Sequence, residues 1–215
     1  MDIEEDLKMH HNLNDDDSDP KRLSWPVKVI LSLFLLLIIT MWTFSYYGGK
    51  LDPEPRNIPT KEEVVPVGIT LGNTSTKIAD YQELYKFITP EDQEIKRIAD
   101  RVAAQSCDRD RVCQAKALFF FVRDNYDYIS DPIDSEYIEY PIEFLSIGGG
   151  DCESGTIALA SLLESIGIYT ELVFIPKHVY LKIKLPEANN RYQKGGWVYL
   201  DWTCKGCGFG EDPNS

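Results

Sequence analysis

Residues 29–49, VILSLFLLLIITMWTFSYYGG, hold no charged side chain. A helix over such a run is about 30 Å long, the thickness of a bilayer's hydrocarbon core. Trp25, Trp42, Tyr46 and Tyr47 lie near its ends, where an aromatic belt meets the lipid headgroups. The run exceeds the apolar stretch of an ordinary signal peptide, and no small-residue cleavage site follows it. The expectation is an uncleaved, single-pass membrane anchor. Lys21, Arg22 and Lys28 flank its front and Lys50, Arg56 and Lys61 its back, so the nearby basic residues balance. The front three are more closely grouped, and a short tail ahead of a large domain most often stays in the cytoplasm. The folded domain is therefore expected outside the cytoplasm.

The formal charge of −13 argues against nucleic acid as a partner. Much of the acidity sits in MDIEEDLKMHHNLNDDDSDPKR, so residues 1–28 read as a disordered acidic tail, with an acidic docking site as the alternative. Residues 50–70 follow the anchor, and their KLDPEPRNIPTKEEVVPV portion carries four prolines, as in a stiff, extended stalk. Residues 71–210 remain for a folded domain. Its first half shows helical spacing. Ile78, Tyr81, Leu84, Tyr85 and Ile88 recur at that spacing; TPEDQEIKRIADRVAAQ opens with Thr89 as cap and Pro90 in the first turn; RVCQAKALFFFVRDNY is strongly apolar.

A fourth helix is predicted after GGGDC. Ile157, Leu159, Leu162, Leu163 and Ile166 form one stripe, with Asp151 as N-cap. Beyond it the period becomes that of strands, in YTELVFIP, HVYLKIKLP and GWVYLDWTC. Helices followed by consecutive antiparallel strands make an α+β plan. There is no internal repeat and no nucleotide-binding glycine motif, and no cofactor is implied.

Cys152 falls in the first turn of the fourth helix, where the helix dipole favours a thiolate. A nucleophilic cysteine needs a base, and the base needs an orienting group. His10 and His11 lie in the tail, so His178, opening a strand after Pro176–Lys177, is the histidine available to the domain. The next strand carries Asp201 among apolar residues, and a buried carboxylate requires a partner. The expectation is a Cys152–His178–Asp201 triad, with the Cys152 N–H as one oxyanion donor.

The three segments GGGDCESGTIALASLLESIGI, KHVYLKIKL and WVYLDWT, in that order, resemble the transglutaminase-like superfamily, and EYPIEFLSIGGGDC fits its approach to the nucleophile. The resemblance covers about residues 115–204. It implies a papain-like core, in which the helix bearing Cys152 packs on an antiparallel sheet bearing His178 and Asp201. It also implies a protein or peptide substrate, since relatives include crosslinkers, cysteine proteases, amidases and inactive forms. A peptidase or amidase is favoured over a crosslinker, because hydrolysis needs only water as second nucleophile. A catalytically idle binding module or cell-envelope scaffold is the alternative.

The remaining cysteines pair by proximity, Cys107 with Cys113 and Cys204 with Cys207. In an oxidising space a disulfide within each pair is the expectation, with reduced thiols as one alternative. A zinc site using all four is the alternative metal reading.

Overall fold

The computed structural model describes residues 24–66, 68, 81–132 and 137–213. The expected acidic tail as far as Leu23, and Ile78 of the first expected helix, lie outside them. The chain divides into two units, Met1–Tyr47 and Gly48–Ser215.

The first unit is described by one element, helix α1 (Trp25–Leu51), which opens with Pro26 in its first turn and continues into the first residues of the second unit. Its mean hydropathy is 2.3 over Trp25–Phe44, long and apolar enough to cross a membrane. Three of its hydroxyls are satisfied by the helix itself: Ser32, Thr40 and Thr43 donate to the carbonyls of Val29, Leu37 and Thr40 at 2.8–3.0 Å.

The second unit is α+β. Helices α2 (Lys61–Val64), α3 (Gln93–Ser106) and α4 (Arg111–Asn125) come first. Strand β1 (Asp127–Tyr128), helix α5 (Pro141–Ile147), strand β2 (Gly149–Gly150) and helix α6 (Cys152–Ser165) follow, then strands β3 (Thr170–Ile175), β4 (His178–Ile183), β5 (Gln193–Lys194) and β6 (Trp197–Leu200). The main sheet is antiparallel in the order β3-β4-β6-β5. It departs from a simple meander because β5, a short strand entered from a 3-10 turn at Asn190–Tyr192, pairs with β6 on its outer side.

Helix α6 is the centre of the unit. A single apolar stripe was expected; instead every residue from Cys152 to Leu163 except Glu153 is buried. Helices α3, α4 and α5 and the sheet all pack on it, which is the environment an all-round apolar helix requires. The sheet meets it through Val179, Leu181 and Ile183 of β4 and their register partners Phe174, Leu172, Val198 and Leu200.

Two local departures have clear causes. Helix α3 starts after Asp92, not after Thr89: the Asp92 carboxylate accepts from Glu94 N and Ile95 N at 2.8 and 3.4 Å. Thr89 is engaged elsewhere, its N–H donating to Ser161 Oγ on α6 at 3.0 Å. The range read as a stalk also differs. Between Asp52 and Val65 it lies against the domain, with Pro59, Val64 and Val65 buried. Beside this apolar burial, one cause is Lys116, buried in α4, whose ammonium requires anions. It reaches Asp52 and Glu54, each at 2.6 Å, and stands over the Tyr192 ring.

Candidate active site

Three glycines lead into α6. Gly148 ends α5 in the left-handed region at φ 103°, a conformation glycine adopts without strain. Gly149 and Gly150 form β2, which lies parallel to β1. A Cβ on Gly149 would stand 2.6 Å from the carbonyl oxygen of Asp127, so this approach admits only glycine. The chain then turns at Asp151, whose carboxylate caps α6 by accepting from Ser154 N at 2.8 Å. Cys152 is the first residue of α6 and is buried. The Trp202 indole donates to the Cys152 carbonyl at 3.4 Å and occupies the space left by the missing side chain of Gly155.

His178 opens β4, facing Ile175 across the two-residue turn Pro176–Lys177. Lys177 takes φ 64°, a costly value for a non-glycine residue, and this holds the imidazole at the strand's first position. Helix and strand are joined here by Thr156, whose hydroxyl donates to the Val179 carbonyl at 3.2 Å. Asp201 follows the last residue of β6; it was expected within the strand. Its Oδ2 lies 2.9 Å from His178 Nε2, and its Oδ1 accepts from Thr203 N and Oγ1 at 3.0 and 2.7 Å. With Nε2 engaged, Nδ1 is the ring nitrogen left for a second partner.

The electrostatics follow from these contacts. Burial pushes the Asp201 carboxyl up, but the hydrogen bonds from His178 and Thr203 outweigh it and hold the group below its ordinary range. The same hydrogen bond raises His178 above its ordinary value of 6.5, against a smaller opposing effect of burial. Cys152 differs from expectation. Burial, then the hydrogen bond and charge of Glu153, push its thiol up to about 12, while the backbone N–H of Val179 pulls the other way. The thiol donates to Glu153 Oε2 at 2.9 Å. In this arrangement the carboxylate beside the sulfur opposes the thiolate that the helix start was expected to favour.

The structure thus places His178 on Asp201 and ties the start of β4 to α6 through Thr156; among the described residues no hydrogen bond joins His178 to the Cys152 sulfur, whose side-chain partner is Glu153. Sequence reasoning missed Glu153, Thr203, Trp202 and the Val179 N–H, whose roles depend on contacts that no spacing rule encodes. The other four cysteines are bonded within their pairs, Cys107–Cys113 and Cys204–Cys207, rather than gathered as zinc ligands. The first disulfide closes the turn between α3 and α4. The second lies directly after the Asp201–Thr203 contact, where Lys205 donates to the carbonyls of Arg123 and Tyr126 and Arg123 donates to that of Cys207.

Residues 96–202 match the family described as the transglutaminase-like superfamily. No curated protein and no solved structure matches the chain.

Proposed function

Because residues 96–202 are a transglutaminase-like superfamily domain, we propose that the protein is a membrane-anchored thiol hydrolase or acyltransferase acting on protein or peptide amides through Cys152, His178 and Asp201. The observation that carries the reading is the 2.9 Å contact between His178 Nε2 and Asp201 Oδ2, at the start of a strand that Thr156 of the Cys152 helix holds by its hydrogen bond to the Val179 carbonyl. A histidine held in this way has a fixed tautomer, with Nδ1 as acceptor.

In the reaction the Cys152 proton passes to His178 Nδ1 and the thiolate attacks the amide carbonyl carbon. The imidazolium then gives its proton to the departing amine as the C–N bond breaks, leaving a thioester on Cys152. Asp201 stabilises the imidazolium while it exists. Water, losing its proton to His178, attacks the thioester, releases the carboxylic acid and restores the thiol. A primary amine in place of water yields a new amide. The Cys152 N–H, at the start of α6, is free of the helix's own hydrogen-bond ladder and stabilises the developing oxyanion.

Helix α1 tethers the domain and limits substrates to those near the membrane, with the domain on the extracytoplasmic side. The two disulfides agree with an oxidising location. The test is incubation of the full chain with peptide libraries, with and without a fluorescent primary amine. Hydrolysis products, lost in Cys152→Ala, support a peptidase or amidase; amine incorporation supports acyl transfer. Turnover that survives Cys152→Ala overturns the reading.

A further inference from the structure

Cys152 is the one cysteine outside a disulfide, yet its thiol does not stand ready for a base. It donates to Glu153 Oε2 at 2.9 Å. A carboxylate in that position works against ionisation twice. The S–H···O bond exists only in the protonated form, and a thiolate there would place two negative charges in contact. The groups around this contact add no relief from α6 or β1. Asp151 caps the helix beside it, its own carboxyl pushed up to about 8 by burial and then by Glu153, against the Ser154 N–H, and Tyr128 on β1, with Asp131 beyond, is within electrostatic reach. From β4 come the Val179 N–H, which favours the thiolate, and His178, which also feels Glu153.

We propose that Glu153 is a positioning residue that latches Cys152 in its protonated form, and that His178 receives the thiol proton only when the Glu153 carboxylate turns away. The proposal deepens the triad reading and rests on it for the identity of the base. Glu153 is the one residue in the first three turns of α6 that reaches solvent, so a side-chain rotation suffices to open the latch without moving the helix. Burial is the largest cause of the rise of the thiol to about 12, and the hydrogen bond and charge of Glu153 add to it.

The test needs no substrate. The full-length chain in detergent, with its disulfides intact, is treated with iodoacetamide at a series of pH values, and alkylation of the peptide containing Cys152 is timed by mass spectrometry. In Glu153→Gln the inflection of rate against pH falls by about one unit or more, which is about tenfold faster alkylation near pH 7. Glu153→Asp, one methylene shorter, moves it in the same direction by less. A pH profile in folded Glu153→Gln that overlays the wild type overturns the latch. The Glu153→Gln/His178→Ala double variant separates the two readings. Loss of the gain at neutral pH supports latch and base together. A gain that persists without His178 supports the latch alone, and the triad is then read from peptide turnover, which overturns it if it survives in His178→Ala.

Discussion

Gly155→Ala sets two physical effects of opposite sign against each other. Gly155 lies inside α6, where alanine is favoured over glycine by about 1 kcal/mol, so local propensity alone predicts a more stable protein. Packing predicts the reverse. A Cβ at this position would stand 2.1 Å from Trp202 Cε2, 2.3 Å from Cζ2 and 2.5 Å from Nε1, where ordinary contact begins at 3.4 Å. The indole would have to retreat by roughly 1 Å or more. It is fully buried and its far side meets Phe144, ring centroids 5.2 Å apart, so no free space receives it. Overpacking of this kind costs about 1–3 kcal/mol and sometimes more, and a rigid indole against a helix backbone belongs at the upper end. The net loss is about 2 kcal/mol, which lowers the melting temperature of a domain this size by roughly 4–8 °C. Trp202 adjoins Asp201, so the His178–Asp201 contact is disturbed as well. The assay is thermal unfolding of the full chain in detergent, followed by circular dichroism. A variant that melts with or above the wild type would mean that the steric effect is smaller than the propensity gain and that the indole has room to move.

Removing the Asp201 charge has a signed effect on His178. The Asp201 hydrogen bond is the largest cause of the raised His178 value, so Asp201→Asn returns the ring to 6.5 or below, read by NMR titration of the imidazole against a His178→Ala spectrum. The pair also links stability to pH. The raised histidine contributes stability in full below its unfolded value of 6.5, lost as pH rises through the folded value. The depressed carboxyl contributes above its unfolded value of 3.8, lost as pH falls through the folded one. Stability gained from this contact is therefore greatest between those two unfolded values, and the wild type minus Asp201→Asn difference in melting temperature shrinks on either side. The cysteines give a mass prediction. Alkylation of the unreduced, denatured chain adds one group and alkylation after reduction adds five; several groups without reductant would mean that the pairs are not bonded.

The parts of the site legible in the sequence were those written in local pattern. Asp151 ahead of an apolar helix fixed the position of Cys152, and alternation in HVYLKIKLP placed Val179, Leu181 and Ile183 on the core face. His178 and Asp201 could be matched because the domain offers a single histidine and because a carboxylate beside apolar strand residues needs a partner. What escaped was decided at a distance. Thr89 and Asp92 are both favoured cap residues, Asp the more strongly; the helix takes Asp92, while the Thr89 N–H is held by Ser161, 72 positions away. The prolines after α1 suggested a free stalk, and the segment lies on the domain through partners far along the chain: Lys116 in α4 pairs with Asp52 and Glu54, and Arg101 and Asn125 donate to the carbonyls of Val64 and Pro59. Glu153 carried no periodic signal, because its importance lies in a side chain folding back onto its neighbour.

The most direct measurement is the intact mass of the full chain quenched in acid during turnover of a peptide amide. The expected result is an added acyl group on Cys152, labile to hydroxylamine and absent from Cys152→Ala and His178→Ala. Turnover in which Cys152 never carries an acyl group would contradict it.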